Sequence, residues 1–154
     1  SLAVSLSGLQ SYRFGRQVTL PFAYGDYLPT SPLELIDANY RSDLHTLVLL
    51  DLDPTGMGVE QPQPMRPAQA VELLQKMAER LTEREGDTRD SMSTPIAQWD
   101  SILLSDLGTP DQRVVSGNLE DIAKVDRGRI HCLILPAEFS GLEREAYERR
   151  KGQR

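Results

Sequence analysis

The chain has 154 residues, 39% of them hydrophobic, with one cysteine, two histidines and a formal net charge of -6. That length supports a single core, and the acidic balance argues against a nonspecific nucleic-acid binder, which would carry a basic face. No apolar run approaches the roughly 20 residues of a membrane helix. The lone Cys132 excludes an internal disulfide or a thiolate-rich metal cluster built from this chain alone, as expected of an intracellular, cytoplasmic protein.

The opening Ser1-Leu-Ala-Val-Ser-Leu-Ser-Gly8 has no initiator Met and no basic region, so it is a poor signal peptide, and an N-terminal part is expected to precede it. Residues 2–13 carry small and apolar side chains at helical spacing, with Gly15 as the natural stop. Ser5, Ser7 and Gly8 would let another backbone approach, which makes this helix the candidate dimer face. Gln17 to Phe22 reads as a strand, with Pro21 placing it near an edge. A loop rich in aromatic residues, 23–30, follows and could be a recognition surface or a loop tucked on the core. Ser31, Pro32 and Glu34 form the pattern of a capping box with proline in the first turn, opening a helix to about Ser42.

Residues 45–52 come next. Leu47 to Leu50 are consecutively apolar, which is the pattern of a strand covered on both faces. Strand, helix, strand over 17–52 is a parallel crossover unit, and 45–52 reads as its central strand. Ligands of open α/β sheets usually lie beyond the carboxyl ends of such strands, so Leu50 and Asp51 are the first places to look for function. Asp51 and Asp53 alternate along the strand end and point to opposite sides, which disfavours a shared metal; solvated carboxylates are expected. The following loop of about a dozen residues contains Gly56-Met-Gly58, which lacks the features of a phosphate loop.

Pro67 to Arg84 is the clearest helix, with Ala70, Leu73, Leu74, Met77, Ala78 and Leu81 on one face. Residues 85–95 are polar and expected to be flexible. Residues 100–107 form a second buried strand, 112–115 a short returning strand, and Asn118 caps a brief helix over 119–125. Residues 129–136 are the last strand, apolar from 132 to 135. Ser140 and Glu143 make a second capping box, and the basic tail from Arg149 is expected to fray. His45, at a strand entrance, reads as a hydrogen-bonded structural histidine, and Cys132 as buried and inert. His131 is the last polar side chain before a buried strand beside the sheet centre; it is either a packing residue or a functional one. The two histidines have no metal-ligand spacing.

Several stretches read together resemble one family, the diphthine synthases of the tetrapyrrole-methylase-like class. They are Gly8-Leu-Gln-Ser-Tyr-Arg-Phe-Gly15, Tyr27-Leu-Pro-Thr-Ser31, Leu44-His-Thr-Leu-Val-Leu-Leu-Asp51, Ala68-Gln-Ala-Val-Glu-Leu-Leu74 and His131-Cys-Leu-Ile-Leu-Pro136. Their order matches the carboxy-terminal half of a family member and covers nearly all of this chain. The resemblance implies that residues 1–154 are the carboxy-terminal lobe of a two-lobed enzyme. The fold would be α/β, with a mixed, mainly parallel sheet of about five strands and helices on both faces. The cofactor, S-adenosylmethionine (product S-adenosylhomocysteine), would lie between the lobes. The glycine-rich turn, the Pro-Gly-Asp loop and a Ser-hydrophobic contact of the missing lobe are absent here, so this chain alone is expected to be inactive. Three cofactor contacts carry over: Leu50, His131 and Leu107, the last at a position often alanine in relatives.

The implied reaction methylates the amino group of a modified histidine on translation elongation factor 2. Such a step rests on alignment rather than on a nucleophilic residue, and no catalytic base can be named. The short loop after Asp53 resembles archaeal members. A homodimer is expected, with no nucleic-acid or membrane partner. Alternatives are a tetrapyrrole or other small-molecule methyltransferase of the same class, or a non-catalytic binding lobe.

Overall fold

The computed structural model describes residues 1–53, 63–85 and 93–152. Five strands form one sheet in the order β1-β2-β7-β5-β6: β1 (Val18–Leu20), β2 (Thr46–Leu50), β5 (Asp100–Ser105), β6 (Arg113–Asn118) and β7 (His131–Leu135). A separate two-stranded ribbon joins β3 (Leu52–Asp53) to β4 (Gln63–Pro64). The helices are α1 (Leu2–Ser7), α2 (Ser31–Arg41), α3 (Pro67–Glu85), α4 (Leu119–Ile122) and α5 (Gly141–Arg149).

One face of the sheet presents Val18, Leu20, Val48, Leu103 and Leu133 to Leu33 and Ile36 of α2, Leu74 and Met77 of α3, and Leu119 of α4. The other presents Leu47, Ile102, Leu104 and Ile134 to Ala3 of α1 and Tyr147 of α5. Covering both faces is why the runs 47–50 and 132–135 lack alternation.

The expected five-stranded mixed α/β sheet is present, but its balance is corrected. β1 and β2 pair in parallel through the α2 crossover, with Val18 opposite Val48. The other pairings, β2–β7, β5–β7 and β5–β6, are antiparallel. Both β2 and β5 oppose β7, so these two strands run in the same direction, as their helical connection through α3 requires. The last strand then inserts between them, and β6 returns antiparallel to β5 through a loop over residues 106–112. A covered antiparallel strand has the same apolar pattern as a covered parallel one, so periodicity could not separate the two. For the same reason β2 is not the central strand; β7 is. β1 lies at an edge, where Pro21 placed it.

Two helix boundaries move. The first helix ends at Gly8, φ 78°, not at Gly15, and a single 3₁₀ turn over Ser11–Arg13 follows. A Cβ on Gly8 would lie 2.5 Å from the Ala146 Cβ, so its missing side chain serves the contact between α1 and α5. Ala3 and Ser7 are buried, whereas Ser5 and Gly8, of the residues expected to admit another backbone, are exposed. Thr30, not Ser31, precedes α2, and its hydroxyl donates to Glu34 instead of capping a backbone N–H. The capping box at Ser140 and Glu143 is present as expected.

Candidate functional site

His131 opens β7, and Ser105 closes β5 directly opposite it. The β2–β7 register pairs Leu49 with Cys132, so one step further places Leu50 opposite His131. Cross-strand partners project from the same face. Leu50, His131 and Ser105 therefore sit side by side at one end of the sheet, on the α2–α3 face, with Leu50 half-buried against the core beneath. Ser105 Oγ and His131 Nδ1 are 2.7 Å apart, and both residues are buried. His131 Nε2 is also buried and has no hydrogen-bond partner among the described residues.

A short loop closes over this imidazole. Asp106 adopts a left-handed conformation, φ 50°, which a short polar side chain tolerates better than most. Its carboxylate accepts from the Arg129 and Ile130 N–H groups, and its own N–H donates to the Ile130 carbonyl at 2.8 Å. Arg66, just before α3, donates to the Gly128 carbonyl at 3.0 Å and the Asp126 carbonyl at 2.5 Å. Gly128, φ 81°, passes so close that an added Cβ would lie 3.0 Å from His131 Cε1. Burial lowers the His131 pKa below its ordinary 6.5 and the Arg66 charge lowers it further, while Asp106 and the Gly128 carbonyl act the other way. The ring is accordingly neutral at neutral pH.

Leu107 lies just past β5 at the same end of the sheet, but its side chain packs on the opposite, α1–α5 face. Of the three expected contacts, Leu50 and His131 share a face and Leu107 does not; only its backbone lies toward the same end. Asp51 is exposed, and its carboxylate accepts from the Leu52 N–H at 2.9 Å. Gly56-Met-Gly58 and the rest of the loop after Asp53 lie outside the described residues, as do residues 86–92. No group of metal-ligating side chains occurs among the described residues, and no helix there is long and apolar enough to cross a membrane. Cys132 is partly buried, and burial pushes its thiol up to about 11. The aromatic loop pinches into a tight turn between Tyr24 and Tyr27, with Tyr27 standing out into solvent while Phe22 and Leu28 pack on the core.

The strongest buried polar cluster was not foreseen as a unit. Glu143 Oε2 accepts from His45 Nε2 at 2.8 Å and the Gln10 N–H at 2.9 Å, and its Oε1 accepts from the Ser140 N–H at 2.8 Å and from the Arg13 guanidinium. His45 Nδ1 accepts from the Ala137 N–H at 2.9 Å, which leaves the ring proton on Nε2. Arg13 and His45 come from the two stretches most particular to the resemblance, Tyr12-Arg-Phe-Gly15 and Leu44-His-Thr-Leu47. Their pairing with Glu143 ties both to α5, so these residues brace the fold at the end of the sheet away from His131. The signal in the sequence was the lone histidine at a strand entrance; its partner, 98 positions away, was marked only as a helix cap. A cavity of about 320 Å³ also lies at this end, lined by Tyr40, Trp99, Phe139, Asp37 and Asp100 among others. Asp37 pairs with Arg41 at 3.1 Å, and Asp100 accepts from the Tyr147 hydroxyl at 3.2 Å.

No family model matches the chain. Among curated proteins it is similar to the diphthine synthase of Methanocorpusculum labreanum, 38% identical over 148 residues, and to that of Methanocella arvoryzae, 32% identical over 149 residues. Each alignment covers 96% of this chain and 52% of the relative, so the chain spans about half the length of these relatives. Among solved structures, an Entamoeba histolytica protein assigned as a diphthine synthase matches 97% of this chain and 55% of its own, with TM-score 0.79 and 30% identity. A crystal structure of diphthine synthase matches 98% of this chain and 50% of its own, with TM-score 0.74 and 25% identity. Along nearly its whole length, in sequence and in fold, this chain is similar to the carboxy-terminal half of the diphthine synthases.

Proposed function

We propose that residues 1–154 form the carboxy-terminal lobe of an S-adenosylmethionine-dependent methyltransferase. It methylates the amino group of the modified histidine of translation elongation factor 2, giving diphthine in diphthamide biosynthesis. The observation that carries this reading is the similarity to diphthine synthases over 96% of the chain. The residues at the His131 end of the sheet fit the cofactor. A buried imidazole nitrogen awaits a partner, the half-buried Leu50 supplies an apolar wall beside it, and the Leu107 backbone stands at the same end. The exposed apolar side chains Leu49, Leu52 and Ile130 border this end and suit cover by a preceding lobe.

When bound, S-adenosylmethionine supplies a methyl group already activated on its sulfonium. The lobe's own residues hold and orient: Leu50 keeps water from one side and His131 offers a hydrogen bond. Alignment of an amine with an activated carbon accounts for most of such a step, so no triad or carboxylate pair is required. Further proposals are a cytoplasmic location and a homodimer whose interface is not the inward-turned face of α1. Calorimetry of S-adenosylhomocysteine with the intact protein tests the reading. Binding that falls about tenfold or more in His131→Ala supports it, together with methyl transfer to elongation factor 2. An intact protein that binds no S-adenosylhomocysteine refutes it.

A further inference from the structure

We propose that Ser105 is the positioning residue of His131: its hydroxyl donates to Nδ1, fixes the imidazole as the Nε2–H tautomer, and thereby presents a single N–H donor to an acceptor atom of the S-adenosyl ligand. This rests on the cofactor reading above and goes beyond it by assigning the second residue and the sense of the hydrogen bond.

The sense follows from counting protons in a buried place. Ser105 Oγ and His131 Nδ1 are 2.7 Å apart, and neither atom has a second partner among the described residues. If the ring donated to the hydroxyl, the serine proton would lack an acceptor and Nε2 would keep an unmatched lone pair. If the hydroxyl donates to Nδ1, the only unmet ring group is the Nε2–H. Leaving a buried polar group unsatisfied is costly, so the arrangement with fewer unmet groups prevails. The remaining N–H is then the one ring group without a well-formed hydrogen bond among the described residues, since the nearby Gly128 carbonyl is already taken by Arg66 at 3.0 Å.

The surroundings hold the ring in one orientation. Ser105 and His131 are register partners on adjacent strands. Gly128 abuts Cε1 from the far side, in a backbone conformation held by Arg66 and by the Asp106 carboxylate. The next cross-strand pair along, Leu104 with Cys132, offers no comparable polar contact.

Residues 1–154 contain two histidines, His45 and His131, and both rings are observed by ¹⁵N labelling of the imidazoles in the intact protein. His131→Asn assigns the signals. The wild type should carry the His131 proton on Nε2 alone. Ser105→Ala should release the ring into both tautomers and weaken S-adenosylhomocysteine binding about five- to tenfold, the effect of one lost hydrogen bond. Ser105→Thr, which keeps the hydroxyl, should restore both readouts. An Nδ1–H tautomer in the wild type overturns the proposal, as does a Ser105→Ala protein with unchanged tautomer and affinity. If Ser105→Ala does not fold, judged by circular dichroism, the wild-type tautomer and the threonine variant decide. A wild type that shows the Nε2–H ring but binds no S-adenosylhomocysteine refutes the cofactor reading while leaving the serine–imidazole coupling standing.

Discussion

Replacing Glu143 by Gln should unfold this protein more readily than almost any other single polar substitution. The carboxylate is 1% exposed and accepts four donors: two backbone N–H groups, the His45 ring and the Arg13 guanidinium, itself only 13% exposed. The amide keeps the shape but brings an NH₂ against groups that are all donors, and it leaves the Arg13 charge only the exposed Asp43 carboxylate, 2.9 Å from its second nitrogen. Breaking a buried ion pair by removing one partner costs about 3–5 kcal/mol. A second route gives a similar figure. Burial alone would raise the Glu143 pKa, but the N–H groups of Ser140 and Gln10 and the His45 contact outweigh it and bring it down to about 2 from an ordinary 4.5. That difference corresponds to about 3 kcal/mol. The sign is that of a lowered carboxylate: the contribution is complete above pH 4.5 and lost as pH falls from 4.5 toward 2. Burial also lowers the His45 pKa, against the pull of Glu143, so acidification below about pH 6.5 begins to erode stability even earlier. Urea denaturation at pH 7 should show Glu143→Gln less stable by about 3 kcal/mol, with a melting point lower by about 10 °C. The variant should also lose most of the wild type's stability change between pH 5 and 2. A loss under 1 kcal/mol, or an unchanged acid limb, would refute the network.

Glycine substitutions should separate by site. Gly8→Ala, at φ 78° and 2.5 Å from the Ala146 Cβ, should cost about 2 kcal/mol or more, whereas Gly141→Ala, in open space at the start of α5, should gain about 0.5 kcal/mol; paired denaturation curves check both, and a neutral Gly8→Ala contradicts the helix contact. Gly128→Ala should likewise cost about 2 kcal/mol, because its Cβ would press on His131, Asp106 and Ser105; thermal melts that overlay the wild type exclude that crowding. Cys132, with its thiol raised to about 11, should alkylate about a hundredfold more slowly than a free thiol at pH 8, followed by mass spectrometry with iodoacetamide; complete labelling within minutes would show the thiol to be open.

Local structure was legible where one segment carried its own instruction. Ser140 and Glu143 spelled out a capping box that exists, and the spacing from Ala70 to Leu81 gave the buried face of α3. The runs 47–50 and 132–135 announced buried strands but not their order or direction, since burial on two faces erases the alternation that would distinguish arrangements. Thr30 displaced Ser31 as the residue preceding α2 because its hydroxyl found the Glu34 side chain. Gly15 looked like a helix stop and instead leaves room for Asn39, whose side chain would lie 2.2 Å from an added Cβ. The His131 neighbourhood was half visible. Its histidine and Leu50 stood out at strand ends, whereas Ser105 and Arg66 are ordinary residues until pairing register and a loop bring them to the ring. Glu143 was read as a cap alone, and its distant partners could be found only in the folded chain.

The insertion of β7 between β2 and β5 sets the order in which this chain can fold. Thr46 meets Leu135, and Ser105 meets His131, only after the last strand has emerged. Until then β1–β2 and β5–β6 are two half-sheets, each with an open edge and an uncovered apolar surface. Sheet closure is therefore a late, long-range event, with the slow kinetics that such pairings impose. An intermediate lacking β7 would expose two unpaired edges, the feature that invites association with other copies. A chain arrested before His131 should accumulate as an aggregation-prone species, and a soluble peptide spanning residues 129–137 should slow its self-association by occupying the gap.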